Sequence, residues 1–335
     1  GNVIVAAGEK IATVTTDKEG KAKIPFDVPV MDEGYGKMEG NLNSGAYYFL
    51  EESVGDSYYI NREKHQVHLE YNNQETAVVS AKTVVKEDQT ETVISKRMIA
   101  SSVEIKNCHL KISDENGNEI VSWITGDISS VKLNEKIDEM GYDNVRVEKG
   151  DGYAVKIYGL LHDREYTLTE TKPADGYVTA ESIEFTVENT KEVQKHQMLD
   201  DVTKVEISKK DITDSSEVPG AKLIILDKDG KKVESWTSTD KPHMVEKLPV
   251  GEYQLLAWAG AHDSYEITIP NGGTTLTEMK LQLMREESLF INKELEPLWY
   301  GGINHVKFTG TANQMEVINL IKDTNKIRFI FQGSS

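Results

Sequence analysis

The chain repeats itself at one fixed distance. The segment LKISDENG that starts at Leu110 recurs as LIILDKDG starting at Leu223, and ISKR at Ile94 recurs as ISKK at Ile207. Both pairs, and a shared Ser-Trp dipeptide, are separated by 113 residues. Self-similarity at a constant offset is typical of repeated structural units. The chain is therefore predicted to contain at least two copies of one module.

The repeated segments have the pattern of β-strands. Apolar and polar residues alternate in short runs such as Ser182–Val187, which indicates strands with one buried face. Asp and Gly punctuate these runs at Asp114–Gly117 and Asp227–Gly230, as expected for hairpin turns. Helical periodicity is weak. An all-β fold of tandem β-sandwich domains is predicted.

The first full copy is longer than the second. Tyr166-Thr167-Leu168 matches Tyr253-Gln254-Leu255 at an offset of only 87 residues, so the first copy carries an insert of about 26 residues. The insert lies between Gly126 and Gly159. It contains a segment for one or two helical turns, Asn134–Met140, and a strand-like segment ending at Tyr158.

Four regions are predicted from these matches. Residues 1–92 resemble a further copy without its opening strand, as if the chain had been cut there, because Gly45–Glu51 parallels the Tyr166 strand. Residues 93–202 form the copy with the insert, and residues 203–287 form the shorter copy. Residues 288–335 form a β-rich tail, with a strong strand pattern at Lys326–Phe331. This tail either completes the third module or begins another.

Composition excludes several function classes. Asp and Glu number 56 against 38 Lys and Arg, giving a net charge of −18, so nucleic acids and anionic membranes would be repelled. No run of 18 apolar residues predicts insertion into a membrane. The single cysteine, Cys108, excludes an intrachain disulfide and is expected to pack in the core. No zinc-spaced Cys or His set, P-loop or dinucleotide motif is present, so neither metal nor cofactor is predicted.

Two motifs resemble a known family. The segments ISKKD from Ile207, VPGA from Val218 and LDKDG from Leu226 resemble the opening of CnaB/SpaA-type, prealbumin-like domains of Gram-positive pilins and adhesins. The segment YTLTETKPADGY from Tyr166 resembles the E-box of those domains. The module from Ile94 to Asp201 is also similar to the parent domain of the SpyCatcher/SpyTag pair. The resemblance implies Greek-key, Ig-like or prealbumin-like sandwiches arranged in an elongated array.

The resemblance also implies an isopeptide bond that the chain makes without an enzyme. Its residues in the middle module are Lys96 as the amine, Asp200 as the acceptor and Glu170 as the assisting acid. Burial favours the neutral forms of a lysine and of a carboxylic acid, as attack by the amine requires. One departure from the family pattern is Met98, which stands where the family usually has Asp.

The other two modules match the pattern less well. In the third module Lys209 is present, but Ala257 takes the place of the assisting acid and Arg285 the place of the acceptor, so no bond is expected there. A weaker alternative pairs Lys209 with Asn319. In the first module Glu51 matches the acid, but no matching lysine strand precedes it.

Two functions follow from this resemblance. The first is a structural stalk of a Gram-positive, cell-wall-anchored surface protein, whose parent is attached to peptidoglycan. The second is an adhesin module that binds an unidentified host glycan or protein through the insert and through loop aromatics such as Trp258, Trp299 and Tyr300, since exposed aromatics suit recognition. A third function, that of an all-β hydrolase, is supported by no sequence motif. Apart from the single autocatalytic event, no enzyme activity is predicted.

Overall fold

A computed structural model provides the three-dimensional structure. It describes residues 6, 8–26, 46–69, 81–261, 263–268, 280–284, 294–310 and 313–324. Among the described residues 45% lie in strands and 4% in helix, which confirms the all-β class and the β-sandwich domains. Arg285 and the predicted strand at Lys326–Phe331 lie outside the described residues.

The N-terminal segment contains a two-stranded antiparallel sheet. Strand β1 (Ala46–Phe49) pairs with β2 (His65–His68). A bridge between Tyr58 and Gln89 then leads the chain into the middle module.

The middle module consists of two four-stranded sheets and one helix. In chain order its elements are β3 (Glu91–Met98), β4 (His109–Asp114), β5 (Glu119–Ile124), α1 (Ser130–Glu139), β6 (Arg146–Lys149), β7 (Val155–Tyr158), β8 (Glu165–Lys172), β9 (Ile183–Thr186) and β10 (Gln194–Asp200). One sheet has the order β10-β3-β7-β6 and the other β5-β4-β8-β9. Alternate residues from both sheets fill one core, as the period-2 pattern requires.

The insert builds one wall of this module. It forms α1, β6 and the loop between them, and β6 extends the first sheet by pairing with β7. Ile137 of α1 is fully buried in the shared core. Asn134 fixes the helix to the sheet, because its side chain both donates to and accepts from the backbone of Val147.

The third module is built around a seven-stranded sheet. Its elements are β11 (Lys204–Asp211), β12 (Lys222–Asp227), β13 (Lys232–Thr237), β14 (His243–Glu246), β15 (Gly251–Ala259), β16 (Tyr265–Thr268), β17 (Lys280–Leu283), β18 (Trp299–Phe308) and β19 (Gln314–Lys322). The strand order is β13-β12-β15-β18-β19-β11-β14, while β16 and β17 pair separately. Strands β18 and β19 of the tail thus join the sheet that begins with β11.

The register of the strands reproduces the repeat seen in the sequence. Leu110 lies opposite Glu170 in the middle module, and Leu223 lies opposite Ala257 in the third. Glu170 and Ala257 therefore occupy equivalent places, as the sequence predicts.

Several aromatic residues differ from their predicted positions. Trp258 is only 5% exposed and packs in a small cluster with Ile224, Leu226 and Leu256, so its predicted exposure is wrong. Trp299 and Tyr300 begin β18 instead of lying in a loop. The Trp299 indole donates a hydrogen bond to Asp211 at 3.1 Å, whereas Tyr300 is exposed as predicted. No helix among the described residues is long and apolar enough to cross a membrane.

Candidate functional site

Lys96 is an inward-facing residue of β3. Thr92, Ile94 and Lys96 alternate on the buried face of the strand, so the pleat that packs Ile94 also carries the lysine side chain into the core. The Lys96 side chain is 0% exposed. A buried ammonium group is costly unless it meets acceptors, and two carboxyl groups lie beside it.

Asp200 reaches Lys96 from the neighbouring strand. Strand β10 runs parallel to β3 with Met198 opposite Lys96, so Asp200, two residues further on, faces the same core. The Lys96 Nζ atom lies 2.5 Å from Asp200 Oδ1, and the Asp200 side chain is 0% exposed. Burial raises the pKa of Asp200 to about 6, and the Glu170 carboxyl adds to this rise, while the hydrogen bond from Lys96 opposes it.

Glu170 approaches from the opposite sheet. It lies on β8, and its Oε1 atom is 3.1 Å from Lys96 Nζ. Its other oxygen, Oε2, accepts a hydrogen bond from the backbone N–H of Ala180 at 2.7 Å. The backbone bond fixes the carboxyl group, so Oε1 is directed at the amine. The structure thus brings together the three residues that the sequence singled out in this module.

Cys108 completes the surroundings of the three groups. It is 0% exposed, as predicted for a core cysteine, and burial raises the pKa of its thiol to about 12. One donor atom each of Cys108, Glu170 and Asp200 lie within 4.8 Å of one another. The Lys96 amine lies in contact with both carboxyl groups and leaves little room or electrostatic benefit for a cation. The arrangement suits condensation of an amine with a carboxylic acid.

The third module holds its lysine differently. Lys209 is equally buried, but its Nζ atom contacts Glu217 at 2.7 Å and the carbonyl oxygens of Thr239 and Lys241 at 2.7 and 2.9 Å. Strand β19 is the parallel partner of β11, with Ile318 opposite Lys209. The place equivalent to Asp200 is therefore taken by Leu320, which is buried and apolar.

This register corrects two predictions for the third module. Asn319 lies opposite Lys210 and is exposed, so it points away from Lys209 and cannot serve as its acceptor. The alignment that placed the last strand near Arg285 is also wrong, because β19 holds that position. The repeat itself marks Glu217 as a candidate partner, because it lies 113 residues after Glu104, which pairs with Arg97 at 3.0 Å.

The matching acid of the first module is Glu51. Glu51 follows β1, and its Oε2 accepts a hydrogen bond from the backbone N–H of Asn61 at 2.5 Å. Burial raises the pKa of the nearby Glu87, and the Glu51 carboxylate raises it further. The structure therefore places Glu51 beside a second carboxyl group.

Two family models match the chain. The SpaA model, described as a prealbumin-like fold domain, matches residues 90–201. The middle module is a SpaA-type prealbumin-like domain. A second model, described as the fimbrillin-A associated anchor proteins Mfa1 and Mfa2, matches residues 179–335 and so overlaps the last strands of this prealbumin-like domain. Both are families of structural fimbrial or pilin proteins and not of enzymes.

Solved structures of surface proteins resemble parts of the chain. A putative polysaccharide binding protein from Bacteroides thetaiotaomicron is 41% identical over 36% of this chain and 47% of its own, with a TM-score of 0.33. The fimbrial anchor protein Mfa2 from Porphyromonas gingivalis is 19% identical over 36% of this chain and 50% of its own, with a TM-score of 0.30. The shaft pilin SpaA from Lactobacillus rhamnosus GG is 9% identical over 71% of this chain and 99% of its own, with a TM-score of 0.25.

These overlaps are partial. The chain spans less than half the length of the Bacteroides thetaiotaomicron protein. A search of curated proteins found no match.

Proposed function

We propose that the chain is a structural segment of a bacterial surface fimbria or adhesin, and that an autocatalytic isopeptide bond between Lys96 and Asp200 locks its prealbumin-like domain. The observation that carries the proposal is the 2.5 Å contact between Lys96 Nζ and Asp200 Oδ1, with both side chains fully buried. Glu170, at 3.1 Å from the amine, is the assisting acid.

The proposed reaction is a condensation that releases water. Proton transfer from the Lys96 ammonium to the Asp200 carboxylate gives a neutral amine and a neutral acid. The amine nitrogen attacks Cγ of Asp200, while Glu170 donates a proton to the carbonyl oxygen and takes one from the nitrogen. Loss of one water leaves the amide and restores Glu170. Groups fixed in a core have a high effective concentration, which lets an unactivated carboxyl react once.

Two features of the residues around Lys96 favour the condensation. The raised pKa of Asp200, caused mainly by burial, keeps more of this acid protonated near neutral pH than an exposed Asp. The Ala180 N–H holds Oε2 of Glu170, so Oε1 faces the amine and is the oxygen placed to exchange a proton with it.

The proposed bond would stabilise the domain against unfolding and against force. Strands β3 and β10 lie side by side, and Lys96 and Asp200 close a long segment of chain between them. By analogy with a disulfide that closes a loop of this length, the bond contributes roughly 3–5 kcal/mol. Tension along the chain would pass from Lys96 directly to Asp200.

The cellular location and the partners of the whole protein form a separate proposal. The match of residues 179–335 to fimbrial anchor proteins supports association with other fimbrial subunits at the cell surface. A Gram-positive origin, a link to peptidoglycan and similarity to the SpyCatcher parent domain remain predictions from the sequence resemblance.

The intact mass of the purified chain tests the bond. We expect the wild-type mass to fall short of the sequence mass by one water. The Glu170→Ala and Lys96→Arg variants should regain the full mass, whereas Lys209→Arg, at the equivalent position of the third module, should keep the deficit. In Asp200→Asn the deficit should become one ammonia if the bond still forms.

Two results would contradict this assignment. A wild-type mass equal to the sequence mass would exclude any such bond. A water deficit that persists in Lys96→Arg would place the bond elsewhere, and fragmentation of the linked peptides would then identify its partners.

A further inference from the structure

An open cleft lies between the N-terminal segment and the prealbumin-like domain. It has a volume of about 650 Å³. Tyr58 and Tyr59 line it from the N-terminal segment, and Asn144 and Tyr158 line it from the domain. This cleft is separate from the buried lysine site, because none of Lys96, Glu170 and Asp200 lines it.

Direct hydrogen bonds hold the two walls together. The backbone N–H of Ile60 donates to the Asn189 side chain at 2.8 Å, and the N–H of His162 donates to the carbonyl of Asp56 at 2.8 Å. Within the lining, the Gln89 amide donates to the carbonyl of Asn144 at 2.8 Å. The cleft is therefore preformed, as small-molecule sites usually are.

The lining groups suit a ligand that carries many hydroxyl groups. Three tyrosine rings offer flat apolar faces with a polar tip, and carboxylates and amides offer acceptors and donors for hydroxyls. The carboxylates of the lining are Glu87, Asp88, Glu91 and Asp143. Sugar rings combine apolar C–H faces with hydroxyl edges and so match both kinds of group.

The charges of the cleft indicate a neutral ligand. Its two cations already have partners, since Arg146 contacts Asp138 at 2.8 Å and Lys191 lies 3.6 Å from Glu63. With four carboxylates in the lining and a chain charge of −18, an acidic sugar would be repelled. Two of those carboxylates are themselves engaged: Asp88 accepts a bond from the Tyr59 hydroxyl and Glu91 lies 3.7 Å from Lys156.

We propose that this cleft is a binding site for a neutral oligosaccharide. The insert of the prealbumin-like domain contributes Asp143, Asn144 and Arg146, and the third module lacks such an insert. The insert thus has a binding role of its own, which does not depend on the isopeptide bond.

Calorimetric titration of the whole chain tests this site. The probes are neutral hexasaccharides (maltohexaose, cellohexaose, xylohexaose and mannohexaose), with a sulfated hexasaccharide and an oligolysine peptide as charged controls. We expect at least one neutral probe to bind, with little change in affinity between low and high salt. Tyr59→Ala and Tyr158→Ala should each weaken binding about tenfold or more.

Matched variants separate binding from folding. Tyr300→Ala removes an exposed tyrosine of the third module and should leave affinity unchanged. Asp143→Asn removes one charge from the lining but keeps a hydrogen-bonding group, so affinity for a neutral sugar should change by no more than about threefold, or about 0.7 kcal/mol. Glu170→Ala should also retain binding, so failure of the isopeptide proposal would not affect this one.

Three outcomes would overturn the proposal. The first is no binding of any neutral probe, and the second is binding that both tyrosine variants leave unchanged. The third is binding of oligolysine alone, lost at high salt and in Asp143→Asn, which would identify a site for basic peptides.

Discussion

Two lysines at equivalent positions have different surroundings. Lys96 meets the carboxyl groups of Glu170 and Asp200, whereas Lys209 meets Glu217 and two backbone carbonyls. In the third module Ala257 and Leu320 replace the assisting acid and the acceptor. The residues that face the lysine, more than the lysine itself, therefore decide in which module an isopeptide bond can form.

The Lys209–Glu217 pair should contribute to the stability of the third module. Its side chains are 1% and 15% exposed, so loss of Glu217 leaves a buried ammonium without its counter-charge. We expect Glu217→Ala to lower the free energy of unfolding by about 3 kcal/mol. The equivalent Glu104→Ala removes a more exposed pair with Arg97, and its ion pair should contribute about 1 kcal/mol or less. Urea denaturation of both variants checks the difference, and equal losses would contradict it.

The same pair should make the third module sensitive to acid. Burial would raise the pKa of Glu217, but hydrogen bonds from Lys209 and Ser208 outweigh it and hold the pKa below its ordinary value. A lowered folded-state pKa gives stability that is present above the unfolded value and lost as pH falls through the folded value. The melting temperature of this module should therefore fall more steeply below about pH 4 in wild type than in Glu217→Gln. Parallel curves of melting temperature against pH for wild type and Glu217→Gln would contradict this prediction.

At the scale of strands, the local pattern identified the repeat but not the long-range pairing. Alternation and hairpin turns were enough to place β4, β8, β12 and β15 and to align Glu170 with Ala257. For the partner of β11, alternation favours a last strand near Arg285 over the alternative at Met315–Asn319, but the second is the strand that forms: β19 pairs with β11 in parallel from about a hundred residues away, and no turn marks the connection. Nor did alternation reveal the second apolar face of β12.

That second face explains a difference between the repeats. In β12, Ile224 and Leu226 are buried on the outer side of the sheet, where they pack with Leu256 and Trp258. The matching residues of β4 are the polar Lys111 and Ser113. The apolar residues of LIILD, compared with LKISD, thus indicate an extra layer over the third module, and Ile267 of β16 packs there.

A glycine at the end of β7 should be essential to the insert. Gly159 has a φ of +77°, and a Cβ atom there would lie 2.0 Å from the carbonyl oxygen of Asn144. We expect Gly159→Ala to cost about 3 kcal/mol or more, because backbone strain and overlap add. Gly117→Ala, with a φ of +82° and open space, should cost about 1 kcal/mol. Chemical denaturation distinguishes the two, and similar costs would show that the loop relaxes freely.

In the molecule as a whole, the prealbumin-like domain and the third module meet at a short, hydrogen-bonded junction. Thr203 is 2% exposed, and its hydroxyl donates to the carbonyl of Leu248 at 2.7 Å. Its N–H donates to the carbonyl of Gly176, and Lys247 donates to the carbonyl of Thr203. The two modules are therefore joined by side-chain and backbone contacts as well as by the chain.

Calorimetry should nevertheless resolve two unfolding transitions, since each module has its own core. With the proposed bond, the prealbumin-like domain should melt at the higher temperature. Glu170→Ala should lower that transition, by roughly 3–5 kcal/mol in stability, and leave the other in place. Glu217→Ala should lower the transition of the third module and leave that of the prealbumin-like domain in place. A single transition that both variants shift equally would contradict independent modules.

The parallel pairing of β3 and β10 has a consequence for damage to the chain. With Lys96 and Asp200 joined, the domain is a covalent macrocycle that contains α1, the insert and every loop from β3 to β10. A protease that cuts once between Lys96 and Asp200 opens the macrocycle. The chain before the domain and the chain after it stay connected through the isopeptide bond. The nicked molecule would remain one continuous polymer from end to end, and a second cut in the same domain would release only an internal fragment.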